Sequence, residues 1–274
     1  MSWLFEIFSY SFMQRALIVG VLISICAALV GVTLVLRKNS MIGDGLSHTA
    51  FGAFAVATVL NFAPIWFAIP VVVIMSFFIL RLSGNKKING DAAIALLSAS
   101  SLAIGIIAIS LSKGVNIDLN GYLFGSILAI NWHDVWLSLI LTIVVILLYV
   151  FSHNRIFAIT FDEDFAKAIG IRTNLYDAIF AIICSLVVVF GMRLLGALLI
   201  SSLIIFPTII AMQFSKSFKR VVICAVVVSV INFVLGLILS YLIASPTGAT
   251  IVAINLLALI VTIVIKKSLS LRRQ

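Results

Sequence analysis

Asp44 and His48 stand in the stretch Asp44-Gly-Leu-Ser-His48, just beyond Arg37 and Lys38 and at the start of a long apolar run. On a helix, an offset of four sets the carboxylate and the imidazole one turn apart on one face. A carboxylate and an imidazole so placed can share a divalent cation such as Zn²⁺ or Mn²⁺. The same residues fit a plainer role, with Asp44 as a helix N-cap and His48 as a packing residue. Spacing alone does not separate the two. The setting adds weight, because ionisable groups among membrane segments are costly and are functional candidates by default.

Other reactive side chains offer less. His133, between Trp132 and Asp134, and His153 read as solvated loop residues. Asp91 and Asp177 fall at expected helix starts, where N-terminal capping accounts for them. Cys26, Cys184 and Cys224 lie inside apolar runs without a C-x-x-C pair, so they read as small packing residues. The chain has no G-x-x-x-x-G-K-[ST] phosphate loop, no H-E-x-x-H helix and no G-x-S-x-G elbow. Gly121-Tyr-Leu-Phe-Gly125 has G-x-x-x-G spacing in a segment too short to specify a packing interface.

The elements that must position the pair follow from composition. Hydrophobic residues make up 64% of 274 and charged residues 10%, against roughly 45–50% apolar in soluble domains. Mean hydropathy is +1.31. This is the signature of an all-α polytopic membrane protein, a single transmembrane domain over residues 1–274. Apolar runs fall at about 12–36, 46–62, 65–82, 91–112, 135–151, 175–191, 194–214, 220–243 and 249–266. They give eight or nine transmembrane helices, depending on how 46–62 and the possible break at Gly191-Met-Arg193 are counted. Gly43 and Gly45 would allow a non-helical segment to dip into a cavity near Asp44.

The net charge of +9 sits mostly in short loops, so it reads as a topology signal and not as a nucleic-acid surface. Loops at 37–38, 81–87, 155–172 and 216–220 and the C-terminal tail carry most Lys and Arg and are expected on the cytoplasmic side. Nine spans then alternate correctly with the N-terminus outside, whereas eight require a re-entrant segment. Asp44 and His48 fall at the cytoplasmic mouth of the second span. The aromatic start, with Trp3, Phe5, Phe8 and Tyr10, carries Glu6 and no basic n-region, so no cleavable signal peptide is expected.

The interruption from His153 to Asn174 contains an expected short amphipathic helix, from Thr160 as N-cap to Gly170 as C-terminal stop. Asp162, Glu163 and Asp164 suit its first turn. Phe161, Phe165, Ala168 and Ile169 recur at offsets of three and four and make one apolar face. Such a helix either tucks into the membrane surface or docks a soluble partner. Acids at its start disfavour anionic lipid and tilt the reading toward docking.

Several stretches in this order resemble the permease subunit of the zinc/manganese family of ABC importers. They are Arg37 with Ser40-Met-Ile-Gly-Asp44-Gly-Leu-Ser-His48, and Asp118-Leu-Asn-Gly-Tyr-Leu-Phe-Gly-Ser-Ile-Leu128. Further on come Phe161-Asp-Glu-Asp-Phe-Ala166 through Gly170-Ile171, Leu194-Leu-Gly-Ala-Leu-Leu-Ile200 with Pro207, and Pro246-Thr-Gly-Ala249. Ala95, where the family often has Gly, and Thr208-Ile-Ile after Pro207 depart from the pattern.

The resemblance implies a type II ABC importer-like fold and a homodimeric pore in the prokaryotic cell (inner) membrane. It implies partners as well: a separate ABC ATPase subunit that holds and hydrolyses ATP, and an extracytoplasmic metal-binding protein. By position, Asp44 and His48 would meet transported Zn²⁺ or Mn²⁺, the chain itself binding no cofactor and being no enzyme. Phe161, Asp162, Phe165, Ala166 and Gly170, in a coupling helix at about 161–170, would engage the ATPase. The N-terminal Tyr10-Ser-Phe-Met-Gln-Arg15 is closer to zinc-type members. Alternatives are an ion-coupled secondary transporter and an ABC permease for a metal chelate.

Overall fold

A computed structural model describes residues 10–83, 90–112, 119–125 and 130–271. The described residues form helices only: α1 Ser11–Leu36, α2 Met41–Val59, α3 Pro64–Ser83, α4 Gly90–Leu111, α5 Leu119–Phe124 and α6 Trp132–Phe151. They continue with α7 His153–Phe161, α8 Glu163–Ala168, α9 Thr173–Leu195, α10 Ala197–Phe214, α11 Phe218–Ile243 and α12 Thr247–Leu271. Among them, α1, α4, α6, α9, α10, α11 and α12 are long and apolar enough to cross a bilayer. A shorter apolar stretch, Pro64–Ile79, lies in α3. The 19-residue α2 is less apolar because it carries Asp44, His48 and three glycines.

Burial separates the centre from the periphery. In α1, 72% of the membrane-spanning window is buried, against 22% in α4. The outward faces of the peripheral helices present Leu96, Ile107, Leu257 and Val264, side chains that suit hydrocarbon. Helices in lipid gain little from mutual hydrophobicity, so close backbone approach and interhelical hydrogen bonds must hold the bundle. Both are present. A Cβ at Gly31 would lie 2.0 Å from the Ile204 carbonyl oxygen, and one at Gly52 would lie 2.3 Å from that of Ser101. These contacts seat α1 on α10 and α2 on α4. Asn232 donates to Asn255 Oδ1 (2.8 Å), and Asn255 donates to Ser202 Oγ (3.3 Å), tying α11, α12 and α10 together. Cys26 and Cys184 are buried packing residues, as expected, and the Cys26 thiol donates to Thr142 Oγ1.

Several expectations are corrected. α2 is regular from Met41 onward, so Gly43 and Gly45 do not loosen it. A Cβ on Gly45 would meet Ile94 Cγ2 at 2.5 Å, so this glycine serves close packing. α9 passes straight through Gly191, Met192 and Arg193, and the break falls at Gly196, whose φ of 94° only glycine adopts readily. α6 starts at Trp132 and not at 135, placing His133 and Asp134 in its first turn. Most of the polar stretch after His153 is helical. Thr160 lies inside α7, its hydroxyl donating to the Ile156 carbonyl, and the N-cap of α8 is Asp162. Asp177 pairs with Arg37 and does not cap α9. The expectations for Trp3, Glu6, Phe5 and Phe8, for the Lys86 and Lys87 loop, for Asp118, for Ser126 to Leu128 and for Arg272 and Arg273 lie outside the described residues.

Candidate functional site

α2 packs on α3, α4, α9 and α10, and its N-terminal half is enclosed except along one stripe. Ile42, Gly43, Gly45, Leu46, Ser47 and Thr49 are buried, while Met41, Asp44 and His48 stay accessible. The Asp44 side chain is 40% exposed and that of His48 28%. Asp44 does not act as the N-cap, a position held by Ser40, so its carboxylate is uncommitted to the backbone. Ser47 Oγ donates to the Asp44 carbonyl (2.8 Å) and lies 3.3 Å from Ser201 Oγ, which anchors this turn to α10.

Asp44 Oδ2 and His48 Nε2 are 3.7 Å apart, too far for a good hydrogen bond. Two donors each about 2.1 Å from a tetrahedral metal ion are roughly 3.4 Å apart, so the pair already approximates one edge of such a polyhedron. His48 Nδ1 is enclosed without a hydrogen-bond partner, which leaves the ring unanchored by the outer-sphere bond that fixes most structural metal ligands. Among the described residues no group of three or more His, Cys, Asp or Glu could hold an ion. The described residues of one chain therefore bring two potential donors together here.

Further along α2, beyond His48, aromatic rings pack into a layer. Tyr122, on α5, meets Phe51 edge-on at 6.2 Å and stacks on Phe54 at 5.7 Å. Phe54 stands six positions after His48, about 9 Å along the helix. Beyond this layer lies a 530 Å³ recess lined by Trp66, His133 and Arg193 among others. Arg193 pairs with Asp134 at 3.3 Å. Asp134 also accepts from the Asn131 backbone N–H at 3.0 Å in a capping box. Sequence reasoning missed this ion pair, although the Asn131-x-x-Asp134 spacing marked a helix start.

At the near end, Arg37 joins three elements. Its Nη1 donates to Asp177 Oδ1 of α9 at 2.7 Å, and its Nη2 lies 3.6 Å from Glu163 of α8. Lys167 reaches Glu163 at 2.7 Å, and this carboxylate pushes the lysine pKa upward. α8 itself is framed by sequence-local signals. Asp162 Oδ1 accepts from the Phe165 N–H at 2.9 Å. At the other end Gly170, with φ of 83°, donates to Lys167 O, and Ile171 donates to Ala166 O, a Schellman stop. The faces are informative. Ala166 is fully buried and seats the helix on the bundle, while Phe161, Phe165 and Ile169 are each more than half exposed.

The Arg37–Asp177 bond is short, and both side chains are mostly buried. Arg37→Ala strands a carboxylate, so it is expected to destabilise the chain by about 1–3 kcal/mol. A double-mutant cycle with Asp177→Ala, read by denaturant unfolding in detergent micelles, should return a coupling of about 1 kcal/mol or more. Strict additivity of the two substitutions would show that the pair contributes nothing.

The family model of the ABC 3 transport family matches residues 9–266. The manganese import system permease protein ScaB of Streptococcus gordonii is 32% identical over 253 residues, covering 92% of this chain and 91% of ScaB. The high-affinity zinc uptake system membrane protein ZnuB of Haemophilus influenzae is 30% identical over 237 residues, covering 86% and 91%. The solved structure of PsaBC from Streptococcus pneumoniae in complex with Fab contains a chain that superposes with a TM-score of 0.85 at 29% identity, covering 95% of this chain and 94% of that one.

Proposed function

From the premise that the chain belongs to the ABC 3 transport family, we propose a route by which it carries manganese or zinc through Asp44 and His48. It is a transport subunit and not an enzyme, a multi-pass protein of the prokaryotic membrane that forms the translocation pathway of a metal importer. In our reading nine helices cross the bilayer, the seven long ones together with α2 and α3. Arg37, Glu163 and Asp177 then share the cytoplasmic end, and His133 and Arg193 the outer one. Two copies pair so that both accessible stripes of α2 face one passage.

Each copy contributes one carboxylate and one imidazole, so a passing ion meets up to four donors. The donor set suits both ions, imidazole favouring zinc and carboxylate manganese. A permease must release what it binds. A two-donor edge in each copy, with an imidazole not locked from behind, holds an ion less tightly than a closed structural site would. The ion arrives from an extracytoplasmic binding protein at the outer recess and waits above the Phe51–Phe54–Tyr122 layer. An ATPase seated on Phe161, Phe165 and Ile169 drives the rearrangement that opens that layer. The observation that carries the proposal is the accessible acid–imidazole pair on a helix whose flanking residues Gly43, Gly45, Leu46, Ser47 and Thr49 are buried.

Reconstitution tests it. Proteoliposomes with this chain, its ATPase and the extracytoplasmic binding protein are expected to accumulate ⁵⁴Mn²⁺ or ⁶⁵Zn²⁺ only when ATP is supplied. Unlabelled bare ions should compete. Uptake by the chain alone, driven by an ion gradient, would instead establish a secondary transporter, and indifference to bare ions would point to a chelate.

A further inference from the structure

A 620 Å³ groove opens between α6 and α11, with α1 as its back wall. Its walls are apolar, including Ile25, Ile146, Val150 and Val226. Its polar side chains gather at one end, where His153, Asn154 and Lys219 meet. That end carries the start of α7 and the N-terminus of α11, on the same side of the bundle as Arg37 and Glu163. We propose that this groove binds an anionic phospholipid of the cytoplasmic leaflet, one acyl chain in the slot and the phosphate against Lys219, Asn154 and His153.

Three observations choose this occupant. The first is length. On α11 the lining runs from Lys219 to Val227, about 12 Å of helix. A leaflet's hydrocarbon is about 15 Å deep, half of a core of about 30 Å, so the slot matches one chain of one leaflet. The second is charge. Neither α7 nor α11 contains an acidic residue, and the single acid of α6, Asp134, stands at its opposite end. Lys216 and Arg220 add positive charge beside Lys219. Of the acids around α8, Asp162 accepts in the N-cap and Glu163 pairs with Arg37 and Lys167, while Asp164 is exposed and is not part of the groove lining. A cationic mouth above a greasy slot selects an anionic head on an acyl tail.

The third observation is direction. α6 and α11 pack on α1, whereas α2 packs on α3, α4, α9 and α10, so the groove and the Asp44 and His48 stripe are built on different helices of the bundle. A second copy that shares the proposed passage would leave it facing lipid. The bound head would also sit at the root of the docking segment. Phe218, beside Lys219, packs against Tyr149, His153, Phe157 and Phe161.

Native mass spectrometry of the purified complex tests the site, with phosphatidylglycerol or phosphatidylcholine added at equal concentration. Phosphatidylglycerol is expected to be retained preferentially. Lys219→Ala is expected to lower its retention about five-fold, the effect of one cation of about 1 kcal/mol near an anionic headgroup. Lys38→Ala, an exposed cation at the same end but outside the groove, should leave it unchanged. Val226→Trp, which fills the slot, should remove both lipids. Lys219 is exposed, so its loss does not threaten folding. Equal retention of the two lipids, or equal losses with Lys219→Ala and Lys38→Ala, would overturn the site. So would efficient cross-linking of Ile223→Cys between two copies, which would assign the groove to a protein contact.

Discussion

Asp44→Ala and His48→Ala are each expected to cut ATP-driven uptake of manganese and zinc by at least about ten- to a hundred-fold, while the chain still folds and still holds its ATPase. The size follows from ligand loss. Even a residue that only orients a ligand typically changes metal affinity ten- to a hundred-fold, and a donor itself should do no less. The survival of the fold follows from the geometry. Asp44 makes no capping bond, and its contact with His48 is a 3.7 Å approach between two part-exposed side chains. Alanine is the best helix former, so neither change should unravel α2.

Asp44→Asn separates charge from shape. It keeps the volume and one oxygen donor but loses the anion, so uptake should fall well below the parent while thermal stability is kept. Uptake by proteoliposomes, normalised to co-purified ATPase, reads the effect directly. Normal import by both alanine variants would remove the pair from the route. Loss of the ATPase along with uptake would give the pair a structural role instead.

Much of this architecture could be read from residues alone because lipid imposes a strong rule. Every backbone group in hydrocarbon needs an internal partner, so a long apolar run has few options besides a helix. The starts and stops of α1, α3, α4 and α11 accordingly lie within a residue or two of where hydropathy put them. What was missed depended on encounters between distant segments. Nothing near Arg37 in sequence announces Asp177, 140 residues away, and nothing near Arg193 announces Asp134. Gly191 read as punctuation, and nothing in the sequence singled out Gly196. Only the packing of Ile200 against one, and the positive φ of the other, tells which ends a helix. For the candidate site, the offset of four between Asp44 and His48 was legible. Their shared exposure was not, because it depends on which neighbours cover the remaining faces of α2.

The proposed docking helix yields the other large effect. Phe165→Asp is expected to weaken co-purification of the ATPase about thirty-fold or more and to abolish ATP-driven uptake, with Asp44 and His48 untouched. Phe165 is 56% exposed, and Phe161 and Ile169 flank it with similar exposure. A partner that covers them gains roughly 1.5–3 kcal/mol for a fully buried phenylalanine. An aspartate there forfeits that gain and brings an unpaired charge into a dry contact. A combined loss of at least about 2 kcal/mol, typical of an interface hot spot, is near thirty-fold in affinity.

The helix itself should persist, because Asp162 caps the backbone N–H of residue 165 and not its side chain. The Schellman stop at Gly170 and the buried Ala166 are likewise untouched. A charge change outside the apolar patch offers the contrast. Lys167→Ala removes a surface ion pair with Glu163 and should leave co-purification within a few-fold of the parent. If Phe165→Asp retains the ATPase and imports metal normally, these rings face lipid and the ATPase engages some other surface. If Lys167→Ala is as damaging as Phe165→Asp, the contact is electrostatic, and Arg37, which shares Glu163, becomes part of it.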